Sequence, residues 1–252
     1  MRQRNQEILL TVALITIFLL LWQIIAINGL VKKEYISYPT EVIRDLMIFY
    51  QSGDLLLNLF ATTYEAFSGL VIGTIVGVLT AIFLGYYKIL GRIFEPIIVV
   101  INSIPQIALA PIYIMWFGIG YGSKIFMSSL LVFFLVFFST FNGVKNSEKQ
   151  LYESAALLGA NDFTILFRVT LPTIVPWIIT GVKAGIGASL IGAIVGEYLG
   201  ATKGLGWAIS FATSYFDMAR VMSCLVLLLF VGYVCNKVLV FFETRLMKYR
   251  GR

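Results

Sequence analysis

Few side chains in this sequence are equipped for chemistry, and those few stand inside or beside long apolar runs. Glu65, Lys183 and Glu197 carry charge, and Asn102 and Gln106 are neutral hydrogen-bonding groups. Polar groups at membrane depth are costly unless they face protein or water, so each is a candidate functional residue. Lys183 stands about eleven residues into an apolar run that follows Pro172, roughly 16 Å along a helix axis. It would attract an anion, pair with a carboxylate, or extend its ammonium to the interface. Asn102 and Gln106 are one helical turn apart and would share a face, lining a pathway or bonding between helices. Glu65 and Glu197 lie near the ends of their runs and read as a gate or as interfacial ends. There is no histidine, so the commonest metal ligand and proton shuttle are missing. The two cysteines, Cys224 and Cys235, share the last apolar run. On one helix they are about 16 Å apart and cannot pair with each other.

These residues are set in a chain whose surroundings are lipid. Of 252 residues, 59% are hydrophobic and 13% charged, with a mean hydropathy of +0.90. Soluble domains carry about 25% charged residues. Continuous apolar runs of about 20 residues predict helices rather than barrel strands, which alternate over roughly 10. Six spans are expected, over about residues 8–27, 59–85, 93–117, 123–141, 174–195 and 221–242. The first reads as an uncleaved span because no small-residue cleavage site ends it. Between the first two, Thr40 is the expected N-cap of a short amphipathic helix whose Val42, Leu46 and Phe49 share a face at the membrane surface. In the second span Gly69, Gly73, Gly77, Ala81 and Gly85 form a stripe suited to close helix approach. The third carries Pro96, Pro105 and Pro111, which bend a helix and free carbonyls.

Lysine and arginine fix an orientation. With the N-terminus inside, the cytoplasmic segments hold eleven, among them Arg2, Arg4, Lys88, Arg92 and the four of the tail. The opposite segments hold six: Lys32, Lys33, Arg44, Lys124, Lys203 and Arg220. The positive-inside bias therefore places both termini and the 142–172 loop in the cytoplasm. The charge of +6 sits at span ends, and is not a nucleic-acid signal.

Residues 148–172 are the longest polar interruption in the second half of the chain. Glu148 to Leu158 fits one short helix with acidic residues early. Ala155, Ala156 and Gly159 give it a face without bulk, and Gly159 suits a left-handed C-terminal cap. Asn161-Asp162 caps a second segment that is expected to end before Pro172. On composition alone this is either a docking element or an amphipathic loop on lipid headgroups.

Glu153-Ser154-Ala155-Ala156, then Gly159, then Leu171-Pro172 resemble the EAA signature of bacterial ABC importer permeases, with Ser154 replacing the first alanine. The resemblance extends over about residues 62–217. It includes the stretch 102–120, from Asn102-Ser-Ile-Pro-Gln106 to Trp116-Phe-Gly-Ile-Gly120, and the stretch Gly196-Glu-Tyr-Leu-Gly-Ala-Thr-Lys-Gly-Leu-Gly206. Both stretches are similar to the branch that serves nitrate, sulfonates, taurine, bicarbonate and some thiamine-pyrimidine or aromatic substrates. The resemblance implies an all-α membrane protein of the type I importer permease kind, with six transmembrane helices and a cytoplasmic coupling helix between spans 4 and 5. It implies a multi-pass protein of the bacterial inner (plasma) membrane and no cofactor. The implied partners are two ABC ATPase subunits, a second permease chain (an identical copy or a paralogue), an extracytoplasmic solute-binding protein and membrane lipid. Glu153, Ser154, Ala155, Ala156, Gly159, Leu171 and Pro172 are then the ATPase-coupling residues. Asn102, Gln106, Lys183 and Glu197 are candidates for the translocation pathway.

No Gly-x-x-x-x-Gly-Lys-[Ser/Thr] phosphate loop is present, so an ATP-driven reading requires the nucleotide to bind another polypeptide. The chain itself is not expected to be an enzyme. Three parts are expected: an N-terminal span with an external amphipathic segment (1–57), a core permease domain (58–219), and a last span with a basic tail (220–252). An ion-coupled secondary transporter is the alternative. It calls for an intramembrane carboxylate pair and internal repeats; no repeat is seen, and the acidic residues stand near span ends.

Overall fold

The computed structural model describes residues 2–28, 35–146, 155 and 159–248. All regular structure among them is helical. In chain order the elements are α1 (Arg2–Ile27), α2 (Pro39–Gln51), α3 (Asp54–Tyr86), α4 (Lys88–Asn102), a 3-10 turn (Gln106–Leu109), α5 (Ala110–Phe117) and α6 (Tyr121–Lys145). After the loop come α7 (Asp162–Ile165), a π-helical turn (Leu166–Thr170), α8 (Leu171–Leu199), α9 (Leu205–Ser214) and α10 (Met218–Lys248). Five helices are long and apolar enough to cross a membrane, and the bent pair 88–102 and 106–117 supplies a sixth span. At 33 residues, α3 reaches about 50 Å, well beyond a hydrocarbon core of about 30 Å.

The core is built around α6, held between α3 and α8. Without a hydrophobic drive between helices in lipid, close packing of small residues must supply cohesion. The glycine stripe of α3 does so: Gly69, Gly73 and Gly77 lie against Ser128, Val132 and Phe133 with no room for a Cβ. A second stripe on α8, Gly181, Gly185 and Gly192, meets α6 at Val136, Val132 and Ser128, and Gly185 also approaches Leu70 of α3. The first stripe was expected from its register. The second is spaced by four and then seven residues, and was not.

Three expectations are corrected. The third span is not one continuous helix but two, meeting at 74°. Pro105 cannot donate a backbone hydrogen bond, and the chain leaves helical geometry at Ser103–Pro105. The N-cap of α2 is Tyr38, with Pro39 at the first turn; Thr40 instead receives the Gln23 side chain through both its N–H and its hydroxyl. The apolar face of α2 also does not lie on lipid. Val42, Asp45 and Phe49 are buried. Arg220 of α10 donates to Asp45 at 2.9 Å and covers the Phe49 ring at 4.0 Å from its centroid. By contrast no residue in the apolar window of α1 is buried, and Trp22 donates to the carbonyl of Ser37, just before α2, at 2.9 Å.

Candidate functional site

Two places concentrate the polar groups, at opposite ends of the bundle. The loop between α6 and α8 forms one end. Glu153, Ser154 and Ala156 lie outside the described residues. Gly159 is described, with φ +80, and the N–H of Ala160 donates to the Ala155 carbonyl at 3.1 Å. That five-residue reach across a left-handed glycine is a Schellman cap, as expected from the sequence. Open space surrounds the Gly159 Cα. Asn161 caps the next turn, its Oδ1 accepting from the Thr164 N–H at 2.8 Å. The second segment does not stop before Pro172. The chain passes through the π turn, where the Leu171 N–H donates to the Leu166 carbonyl, and Pro172 becomes a first-turn residue of α8. The wider turn accommodates the N–H that proline lacks. A cavity of about 920 Å³ opens beside this segment, lined by Thr80, Phe83, Tyr86, Tyr87, Asn161 and Leu166.

At the other end, α3, α6, α8 and α9 meet around a buried polar cluster. Asn58, Thr62 and Glu65 follow one another on a single face of α3, all buried. Glu197, near the end of α8, is 0% exposed. Its carboxylate accepts from the Thr62 hydroxyl at 2.7 Å and from the Gly206 N–H at 2.7 Å. Thr62 Oγ1 in turn accepts from the Leu205 N–H at 2.8 Å, and Asn58 Oδ1 from the Gly204 N–H at 2.7 Å. The amide donors that open α9 are thus satisfied by side chains of other helices rather than by its own first turn. Gly204 takes φ +115. A Cβ there would fall on the Glu197 carboxyl, and one at Gly206 on the Ile194 carbonyl. The two glycines let the backbone reach a carboxylate that any side chain would block.

Lys124 closes the cluster from α6. It is 1% exposed, and its ammonium donates to the carbonyls of Ile119 and Gly200. The orientation count took Lys124 for a loop charge, but it is an interior residue. Glu65, Glu197 and Lys124 are thus the three charged side chains buried in this cluster. Asn58, Thr62 and Lys124 were not anticipated as site residues. The available signal was Asn58, Thr62 and Glu65 at one-turn spacing in an otherwise apolar helix.

The remaining candidates fall elsewhere. Gln106 is buried at the 74° bend: its Nε2 donates to the carbonyls of Ile101 and Ile104, both at 3.1 Å, and its Oε1 accepts from Tyr113 at 2.9 Å. It adds a second donor to the Ile101 carbonyl, which already accepts from the Ile104 N–H at 3.2 Å, and supplies one to the Ile104 carbonyl. Asn102, on the far side of the bend, is exposed, so the two do not share a face. Lys183 pairs with Glu243 at 2.7 Å, joining α8 to α10. No group of His, Cys, Asp and Glu suited to a metal ion occurs among the described residues.

Residues 73–248 match the family described as binding-protein-dependent transport system inner membrane component. A Bacillus subtilis protein named as an aliphatic sulfonates transport permease, SsuC, is 27% identical over 93% of this chain and 85% of its own length. The taurine transport system permease protein TauC of Escherichia coli is 25% identical over 98% and 92%. The formylaminopyrimidine transport permease protein ThiX of Halalkalibacterium halodurans is 28% identical over 57% and 59%. Among solved structures, a chain of the MetNI methionine ABC transporter in an inward-facing conformation shares the fold, with a TM-score of 0.62, 19% identity, and 77% of this chain and 95% of that chain covered.

Proposed function

Since the chain belongs to the family of binding-protein-dependent transport system inner membrane components, we propose that it is the membrane-spanning subunit of an ATP-driven importer. It forms the pathway with a second permease chain and couples to two separate ATPase subunits through the 148–172 loop. The observation that carries the coupling role is the left-handed cap at Gly159, with open space around it and an ordered turn on its far side. A turn closed at a left-handed glycine, which adds no side chain of its own, can enter a partner's groove closely. Glu153 supplies polar contact there, Ser154, Ala155 and Ala156 the smooth face, and Leu171 and Pro172 the entry into α8.

Both termini and the coupling loop face the cytoplasm, as the positive-inside bias supports. The α9 end then faces outward, where a solute-binding protein delivers cargo. That cargo is a small anionic or polar organic solute, a reading supported by the sulfonate, taurine and formylaminopyrimidine names among the relatives. Of the candidate pathway residues, Asn102 keeps a lining role, exposed at the bend. Gln106, Lys183 and Glu197 shape the pathway by holding the bend, the α8–α10 contact and α9.

The test is Gly159→Leu in the assembled transporter. A side chain at φ +80 costs about 1–2 kcal/mol in the left-handed region, roughly a tenfold loss of the docking conformation. ATP hydrolysis should uncouple from solute uptake while membrane insertion stays normal. Uptake coupled as in the unmodified chain would overturn the assignment.

A further inference from the structure

The buried cluster beneath α9 holds two carboxyl groups and one ammonium. Glu65 is 3% exposed, Glu197 0% and Lys124 1%. Glu197 is fully engaged as an acceptor, by Thr62 and by the Gly206 amide. The Lys124 ammonium is engaged by two backbone carbonyls. Glu65 Oε2 has no hydrogen-bond partner, and Glu65 is buried on the same face of α3 as Thr62, one turn away, whose hydroxyl donates to Glu197. The other titratable groups acting on the pair are Lys203, on the loop between α8 and α9, and the Cys224 thiol of α10. The Lys203 ammonium is drawn aside over the Tyr121 ring, 4.6 Å from its centroid.

With both carboxyls ionised, two like charges would be pressed together with one buried ammonium to balance them. Glu65 would keep an unpaired anionic oxygen away from water, a cost of several kcal/mol. One proton removes both costs, because a carboxylic acid carries an O–H donor and a neutral charge. Its place follows from the hydrogen bonds. Glu197 is committed to accepting from an O–H and an N–H, so the proton belongs on Glu65.

We propose that Glu65 and Glu197 form a one-proton binding site, with Glu65 held as the acid and donating its hydrogen bond to the Glu197 carboxylate. The proton is taken from water when the cluster closes and returned to water when α9 and α3 separate, leaving two carboxylates whose repulsion favours the open arrangement. The same carboxylate caps α9, so the position of that helix is tied to proton occupancy. The site stands on the cluster alone and does not depend on the importer reading.

The test uses the full chain purified in lipid nanodiscs. Its infrared spectrum at neutral pH should contain the C=O stretch of a protonated carboxyl, shifted by ¹³C-glutamate labelling and absent from Glu65→Gln. A proton bound only by the folded state makes stability fall as pH rises; the unfolding midpoint should therefore drop with rising pH in the unmodified chain and much less in Glu65→Gln. Absence of the band, or its persistence in Glu65→Gln, would overturn the proposal. So would a midpoint that depends on sodium, tested by replacing sodium with choline, because the ligand would then be a metal cation. Should Glu65→Gln fail to fold, the band in the unmodified chain and its loss on raising pH decide the matter alone.

Discussion

The two ends of this bundle solve the same problem in opposite ways. At both, a helix terminus must be finished. At the α9 end the amide donors of Gly204, Leu205 and Gly206 are taken up by Asn58, Thr62 and Glu197 from other helices. That terminus is locked into its surroundings, and its glycines are crowded. At the loop end the terminus is closed locally, by the Ala160-to-Ala155 bond across Gly159, and its glycine faces open space. A terminus finished by distant helices makes the tertiary structure rigid. A terminus finished by its own backbone stays free to be offered to another protein. On the proposed function, the first end is a structural closure and the second is the docking element.

Substitutions can break or sharpen that contrast. The largest effect is expected at Glu197. Glu197→Leu leaves the Gly206 amide without an acceptor, Thr62 without its carboxylate partner, and Glu65 as the one carboxyl facing Lys124. Removing one partner of a buried charged network costs about 3–5 kcal/mol, and thermal unfolding in detergent should show loss of the folded chain. Next comes Gly206→Val. The Ile194 carbonyl blocks its Cβ, and overpacking costs about 1–3 kcal/mol, measured in the same way. Gly159→Leu should differ in kind: uptake falls roughly tenfold for the left-handed penalty of about 1–2 kcal/mol, while the unfolding midpoint of the membrane domain stays near that of the unmodified chain. If Gly159→Leu unfolds the domain as Glu197→Leu does, the contrast between the ends is lost.

Smaller effects are expected between the ends. Gln106→Leu leaves the Ile104 carbonyl at the bend without its side-chain donor and the Tyr113 hydroxyl without its acceptor, for about 1–3 kcal/mol; the 74° angle should relax, read as a changed distance between spin labels on α4 and α5. Lys183→Met should be the mildest. Its pair with Glu243 is partly exposed, and such pairs contribute about 0–1 kcal/mol. A severe transport defect in Lys183→Met with normal stability would restore a direct role for this lysine in the pathway.

Much of this architecture was legible in the sequence because its signals are local. Run lengths give the spans, the spacing of Gly69, Gly73 and Gly77 gives a packing face, and Gly159 followed by Asn161 gives the cap and restart of the loop. Glu197 and Gly204-Leu-Gly206 stood out as a stretch, but their chemistry did not. The hydrogen bonds from Gly204 and Leu205 reach back to Asn58 and Thr62, some 140 residues earlier, and no spacing rule connects them. Lys124 was misplaced for the same reason. At the start of a span a lysine looks like an interfacial charge, and only the approach of the Gly200 carbonyl shows it to be interior. The bend was half-read. Prolines announced a distortion, but not that Gln106 would bridge the Ile101 and Ile104 carbonyls and Tyr113 across it.

The central claim is that the 148–172 loop docks an ATP-hydrolysing partner. The most direct measurement places a photo-crosslinking amino acid at Ala160, beside the glycine cap, in membranes of cells expressing the chain with its native partners. Illumination should join the chain to an ATPase subunit, and the same probe at Ser214, at the end of α9, should not. Crosslinks at Ala160 that go only to lipid, or to no ATP-hydrolysing protein, would contradict the account.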